Sequence, residues 1–213
     1  MSTRPSFVIG IAGPSGSGKT TLALRLAAAL GGSEAAAVLQ HDAYYRDAVT
    51  DEQPDEGRNF DHPDAIETAL CADHLALLKS GGHVLQPVYD FSTHRRSVET
   101  RLVRSAPVII AEGIHVLTDN ALRTLLDLSV YLDTPLDVCY ARRLARDTAE
   151  RGRSREAVRD QWEKSVLPMY KEFVLPCRAF ADVIVAGTME MDAYLDALVT
   201  RIPWDRTSLR QPG

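Results

Sequence analysis

The sequence predicts an α/β fold, a five-stranded parallel sheet with helices on both faces, in a single domain of residues 1–213. Three observations predict it. Five short apolar runs, FVIGIA (7–12), AAAVLQ (35–40), PVIIAE (107–112), LSVYLD (128–133) and DVIVA (182–186), alternate with helical stretches, the pattern of a parallel sheet covered on both sides. Most of these runs are rich in β-branched residues and too short for helices, as buried strands are. The first run meets GPSGSGKT (13–20) and then a leucine repeat, which together read as strand, glycine-rich loop and helix.

The elements follow in order. Leu22, Leu26 and Leu30 recur every four residues, and Gly31-Gly32 close that helix. Residues 41–62 are polar and rich in Asp and turn formers, so they read as loop. Pro63 suits the first turn of a helix running to about Ser80, ended by Gly81-Gly82. HVLQPVYDF and SVETRLV read as two extended segments of a small β-hairpin insert, about 83–104. A short helix, about 119–126, precedes the fourth strand. Pro135 begins an arginine-rich helix that Gly152 interrupts, and the stretch 141–165 reads as a lid. A further helix starts near Ser154, with Val158, Trp162, Val166, Met169 and Phe173 on one stripe and a kink expected at Pro168. Residues 189–200 form the last helix.

Composition narrows the partners. A net charge of −5 argues against nucleic acid. No apolar stretch approaches the ~20 residues that cross a bilayer, and the N-terminal segment MSTRPSFVIGIAGPSG lacks the form of a secretory signal. Cys71, Cys139 and Cys177 are far apart, form no CxxC pair and leave an odd thiol, as expected of a reduced cytoplasmic setting.

GPSGSGKT fits G-x-x-x-x-G-K-[ST] at Gly13, Gly18, Lys19 and Thr20. A loop of Gly13, Pro14, Ser15, Gly16, Ser17 and Gly18 carries little side chain, so its backbone N–H groups can turn inward onto phosphate oxygens. The helix that opens at Lys19, Thr20 and Thr21 adds its positive end. Lys19 reaches the β- and γ-phosphates, and the Thr20 hydroxyl holds Mg²⁺. The motif specifies a nucleoside triphosphate but not a reaction. No Asn-Lys-x-Asp segment follows a strand to read guanine as a regulatory GTPase does. A small-molecule kinase needs three further parts: a partner for the acceptor hydroxyl, a metal carboxylate, and cations for the charge in transit.

Asp42 directly follows the second strand, where ligands of parallel sheets gather, and is placed to orient a hydroxyl or take its proton. A loop-capping Asp is the bland alternative. Glu112 ends a strand with no other charge, and a nearby Mg²⁺ would offset the cost of burying it. A salt bridge to an arginine would do the same. The run 141–155 carries Arg142, Arg143, Arg146, Arg151, Arg153 and Arg155. Arg143 and Arg146 share a helix face, and Gly152 gives Arg151 and Arg153 a flexible seat. Their planar forks suit phosphate, although Arg143–Asp147 and Arg151–Asp147 pairs on a solvated helix account for part of the pattern. Arg142 and Arg155 read as surface. NFDHPD (59–64) sets Phe60 and Asp61 just before a helix, and PVYDFSTHRR (87–96) interleaves Tyr89, Phe91 and His94. Aromatics offer flat surfaces to a base, and Asp61 could hold sugar hydroxyls. Tyr89 and Phe91 would equally serve a core.

Beyond the phosphate loop, the chain carries HDAYYR, NFDHPDAI, PVYDFSTHRR, VIIAEGIHVLTD, VYLDTPLDVCYARRLARDTAERGRS and ADVIV. Across roughly residues 7–186 these resemble the uridine kinase (uridine–cytidine kinase) family. The resemblance implies a P-loop NTPase fold of the nucleoside-monophosphate-kinase type. It implies transfer of the γ-phosphoryl of ATP or GTP to the 5′-hydroxyl of uridine or cytidine. Carried onto matching positions, Asp42 is the general base and joins Thr20 and Glu112 around Mg²⁺. Asp61 and Arg143 hold the ribose hydroxyls. Tyr89, Phe91 and His94 enclose the pyrimidine. Arg146, Arg151 and Arg153 belong to the lid, Arg153 also facing the nucleoside. Tyr45, Phe60 and Gln161 make lesser contacts. The family implies a homo-oligomer, a tetramer. VAGTMEM stands after the last strand where the family often has a Pro-Arg-Gly-Gly-like segment, on the side of the donor base. A related kinase, resembling phosphoribulokinase, pantothenate kinase or nicotinamide riboside kinase, is the nearest rival. A non-catalytic nucleotide-dependent switch is the rival of another class.

Overall fold

The structure is a computed structural model that describes residues 5–47, 59–188 and 191–203. Strands β1 (Phe7–Ala12), β2 (Ala36–Gln40), β5 (Val108–Glu112), β6 (Leu128–Asp133) and β7 (Val183–Ala186) form one sheet in the order β2-β5-β1-β6-β7. Strands β3 (His83–Asp90) and β4 (Arg95–Arg104) form a separate antiparallel hairpin. All pairings in the large sheet are parallel, with Ile9 opposite Ile110 and Leu128, and Gln40 opposite Glu112.

Side chains on a strand alternate between faces, and both faces here are apolar. Ile9, Ile11, Ile110, Val130 and Leu132 bury against Leu22, Leu26 and Leu30 of α1 (Lys19–Leu30) and Leu195 and Leu198 of α7 (Met191–Val199). Val8, Leu39 and Ile109 bury on the other side against Cys71, Leu75 and Leu78 of α2 (Thr68–Lys79), joined by Val84 and Tyr89 of the hairpin. Each such aliphatic side chain contributes about 1.5–3 kcal/mol on burial. The remaining helices are α3 (Asn120–Arg123), α4 (Leu136–Glu150), α5 (Arg155–Gln161) and α6 (Leu167–Met169).

Several expected boundaries move. The helix expected from Pro63 begins as a 3₁₀ turn, Pro63–Ala65. Ile66 then returns to extended backbone and bridges to Tyr45, so α2 starts at Thr68. Residues 41–44, expected as loop, form a 3₁₀ turn. The expected helix 119–126 holds only four α-helical residues, capped by the Asp119 side chain on Leu122 N–H. Pro168 lies between two π-helical turns, Trp162–Val166 and Tyr170–Val174, which accommodate its missing N–H and bulky ring. Those wider turns shift the apolar stripe: Val158, Trp162, Val166 and Val174 are buried, whereas Met169 and Phe173 are only half-buried. Residues 189–190, expected to begin the last helix, residues 48–58 of the expected polar loop, and residues 1–4 lie outside the described residues.

A parallel sheet puts the carboxyl ends of its strands on one edge. Ala12 therefore leads into the glycine-rich loop, Gln40 into Asp42, and Glu112 stands between them. The site follows from this topology.

Candidate active site

The glycine-rich loop is seated on backbone. Gly13, Gly16 and Gly18 have φ of 147°, 82° and 104°, a region side chains disfavour. A Cβ on Gly13 would meet the carbonyl oxygen of Leu132, and one on Gly16 that of Cys139. Ser17 is buried, and its carbonyl accepts hydrogen bonds from Thr134 Oγ1 at 3.1 Å and Arg142 Nη1 at 3.0 Å. Arg142, expected at the surface, thus braces the loop; its Nη2 also reaches the Gly187 carbonyl. It is exposed, but α4 points it at the loop that the third strand of the sheet order presents. Arg155 is exposed, as expected.

Lys19 Nζ donates to the Pro14 carbonyl at 2.9 Å. Burial lowers its pKa, while Glu112 and Asp42 oppose the shift. Thr20 Oγ1 donates to Glu112 Oε1 at 2.9 Å. Glu112 is 4% exposed, and burial and then the nearby Asp42 charge push its pKa up to about 7, against Lys19 and the Thr20 hydrogen bond. One buried oxygen of Asp42, Oδ1, has no hydrogen-bond partner among the described residues. Among those residues no group of three or more His, Cys, Asp or Glu could hold a metal. Two carboxylates, one with an unsatisfied oxygen, beside a threonine hydroxyl do fit a hard divalent cation that completes its shell with phosphate oxygens and water.

Two cavities adjoin here. The larger, about 720 Å³, is lined by Ser15, Gly16, Gly18, Lys19, Thr20, Thr21, Asp42 and Glu112, and extends to Gln40, Gln86 and Arg101. Gly13, Pro14 and Ser17 do not line it; they shape the loop from beneath. The smaller cavity, about 60 Å³, is lined by Tyr45, Phe60, Asp61, Tyr89, Phe91, His94, Arg143, Arg153 and Gln161, every residue expected around an acceptor. Asp42, Arg146 and Arg151 line both, as do Ser15, Tyr89, Phe91 and Ile114.

The smaller cavity has an aromatic wall and a charged wall. Tyr45 packs on Tyr89 at 5.2 Å and Phe91 at 6.1 Å, and Phe60 on His94 at 4.5 Å between ring centroids. Tyr89 belongs to β3 and is buried; Phe91 lies just past that strand, so the two do not simply share a strand face. His94 turns the hairpin with φ of 55°. Opposite, Asp147 is fully buried in the middle of four arginines: Arg146 at 2.8 Å, Arg143 at 3.4 Å, Arg151 at 3.5 Å and Arg153 at 3.6 Å. Burial, then mutual repulsion, lowers the pKa of Arg151 and Arg153. Asp147 and Asp61, the latter 3.7 Å from Arg143, are two carboxylates for four guanidinium groups, which leaves this wall able to accept an anion. Arg143 also donates to Ser15 Oγ at 2.8 Å and Gln161 Oε1 at 2.9 Å, and Arg153 Nη1 donates to the same oxygen. Arg151 lies 4.1 Å over the Phe91 ring, joining the two walls.

Residues 8–193 match the model of the phosphoribulokinase / uridine kinase family. The chain belongs to that family. Among curated members of the phosphoribulokinase / uridine kinase family, uridine kinases of Shewanella amazonensis and Shewanella baltica (strain OS155) are 43% and 44% identical over 206 residues, 95% of this chain and 97% of each relative. A solved structure described as a possible uridine kinase from Bacillus stearothermophilus matches with a TM-score of 0.61 at 22% identity, covering 87% of this chain and 91% of its own. At that identity it speaks for the fold alone, the P-loop kinase fold.

Sequence reasoning missed three contributors. Asp147 figured only as an ion-pair partner, yet four arginines converge on it. Ser165 Oγ donates to Asp61 Oδ2 at 2.7 Å, and His115 Nε2 to the Asp61 carbonyl at 2.9 Å. For Asp147, four arginines within ten residues was a usable signal. His115 lay within the family-like segment VIIAEGIHVLTD but was not singled out, and for Ser165 no signal existed.

Proposed function

We propose that this chain transfers the γ-phosphoryl of ATP or GTP to the 5′-hydroxyl of uridine and cytidine, giving UMP and CMP in pyrimidine salvage. The observation that carries the proposal is the junction of the two cavities at Asp42, Arg146 and Arg151. A phosphate-loop cavity on one side and an aromatic, carboxylate-bearing cavity on the other meet where a phosphoryl group would cross. The names of the curated relatives favour the same reaction.

Donor phosphates lie in the backbone cradle of residues 13–18, and Lys19 supplies charge to the β- and γ-phosphates. Thr20, Glu112 and Asp42 would hold Mg²⁺, which would neutralise phosphate charge when bound. Thr21 lines the donor side. Asp61 and Arg143 hold the ribose hydroxyls. Tyr89, Phe91 and His94 enclose the pyrimidine, with Tyr45, Phe60 and Gln161 completing the wall. Asp42 orients the 5′-hydroxyl and takes its proton as the new O–P bond forms and the bond to the departing diphosphate breaks. Arg146, Arg151 and Arg153 neutralise the charge in transit and exclude water, the stretch 141–165 serving as lid and 83–104 as base-binding insert. Positioning and charge neutralisation account for most of the catalysis in such transfers. The chain works as a cytoplasmic homo-oligomer, a tetramer, on a small-molecule acceptor and not on nucleic acid. Among the described residues no helix is long and apolar enough to cross a membrane.

A coupled ADP-release assay over an acceptor panel tests this. Uridine and cytidine should drive ATP consumption. Release that peaks with ribulose 5-phosphate, pantothenate or nicotinamide riboside, or that proceeds equally without acceptor, would overturn it.

A further inference from the structure

Asp61 sits in a segment without strand or helix of its own, ahead of the Pro63 turn. Its placement must come from the groups around it. The carbonyl accepts from His115 Nε2 at 2.9 Å, and His115 is 1% exposed. That bond fixes the main chain. The carboxylate, 6% exposed as a residue, is fixed separately. Oδ2 accepts from Ser165 Oγ at 2.7 Å, with Gln161 Nε2 at 3.5 Å, while Oδ1 faces Arg143 Nη1 at 3.7 Å. A carboxylate has about four acceptor sites on two oxygens. Oδ2 is engaged by the helix, and Oδ1 is the oxygen that faces Arg143, in a residue that lines the smaller cavity.

Ser165 reaches Asp61 from the π-helical turn Trp162–Val166. Gln161 immediately precedes that turn, and both side chains converge on one carboxylate. Single π turns re-aim side chains at ligand sites. We infer that Ser165 is a positioning residue for the acceptor: by donating to Oδ2 it sets the rotation of the Asp61 carboxylate and aims Oδ1 at vicinal sugar hydroxyls, so that discrimination between ribo- and 2′-deoxyribonucleosides depends on it. The inference rests on the reading of Asp61 as a ribose ligand. Ser165 touches no reacting atom; it acts through Asp61.

The test compares Ser165→Ala, Ser165→Thr and Asp61→Ala in the full chain, with uridine and 2′-deoxyuridine as acceptors and the thermal midpoint read alongside. Ser165 is half-buried, so both of its variants should fold. Losing a charge-assisted hydrogen bond in Ser165→Ala should raise the uridine KM about tenfold while kcat at saturation and the ATP KM move less than about threefold. The 2′-deoxyuridine KM should rise less, so the preference between the two acceptors narrows. Ser165→Thr keeps the hydroxyl and should restore the uridine KM to within about twofold of the parent. An unchanged uridine KM and acceptor ratio in Ser165→Ala would overturn the inference. So would an equal fall in kcat with both acceptors at constant KM, which marks a structural role. If Asp61→Ala abolishes the preference and Ser165→Ala does not, the inference alone fails. If Asp61→Ala leaves the preference intact, the assignment of Asp61 fails and takes the inference with it.

Discussion

Asp42 enters the cleft because the chain folds into a 3₁₀ turn directly after β2, at the carboxyl edge of the sheet. Its unpartnered Oδ1 is costly unless something binds there. Asn at this position keeps the shape and removes the charge. Asp42→Asn should therefore bind uridine within about threefold of the parent, by calorimetry, while kcat falls at least about 100-fold. Turnover near that of the parent would remove Asp42 from the base role. Glu112 makes a proton-linked prediction. Its pKa is about 7 against an ordinary 4.5. Between those values the folded chain holds a proton that the unfolded chain has released, so this group's contribution to stability falls as pH rises through that window. A divalent cation favours the ionised form. Binding of Mg·ADP at about pH 6 should then release more protons than at about pH 8, measured calorimetrically in buffers of different ionisation enthalpy. Equal release at both values would separate Glu112 from the cation.

Beside its core contacts through Val84, Tyr89 and Val103 and the bond from Arg101 Nη2 to the Val38 carbonyl at 2.9 Å, the hairpin β3–β4 is tied to the acceptor side through Arg96. Arg96 donates from Nε to the Tyr45 carbonyl at 2.7 Å, from Nη2 to that of Tyr44 at 2.8 Å and from Nη1 to Glu67 Oε2 at 2.7 Å; its own backbone N–H donates to Asp47 Oδ1 at 2.6 Å. These bonds tie the strand after His94 to the loop after Asp42 and to the head of α2. Arg96→Ala should raise the KM for uridine about tenfold or more and leave the KM for ATP within about twofold, because only the acceptor walls loosen. Equal changes in both constants would refute the latch. The five strands of the large sheet were legible because buried β-branched runs between helices have few other fates. The start of α2 was not: Pro63 is an acceptable first helical residue, and only the pairing of Ile66 with Tyr45 explains why the helix waits until Thr68. The two π turns were equally hidden, since an added residue per turn leaves no mark in spacing that Pro168 alone would not also leave.

The residues that line the two cavities could largely be named before their geometry was known, for a reason that concerns the whole sheet. Parallel strands bring Gly13–Thr20, Asp42 and Glu112 to one edge whatever the loops do, and the arginines of α4 must lie beside that edge because α4 begins where β6 ends. Family likeness then suggested the residues proposed for the acceptor, which no periodicity could: Asp61 meets Ser165 across 104 residues of chain and Arg143 meets Ser15 across 128. Arg142 is exposed as expected, but its bracing role was hidden because the loop it bonds lies 125 residues away in the sequence. The seating of that loop has a kinetic consequence. With Gly13 lodged on the Leu132 carbonyl and Gly16 on that of Cys139, the cradle holds its shape in advance and lies in a roomy opening. The companion chamber, with Arg151 resting on Phe91 at its wall, is far smaller. On the proposed assignment a nucleotide should bind without rearrangement, whereas a nucleoside should bind more slowly, since Arg151 would first have to leave Phe91.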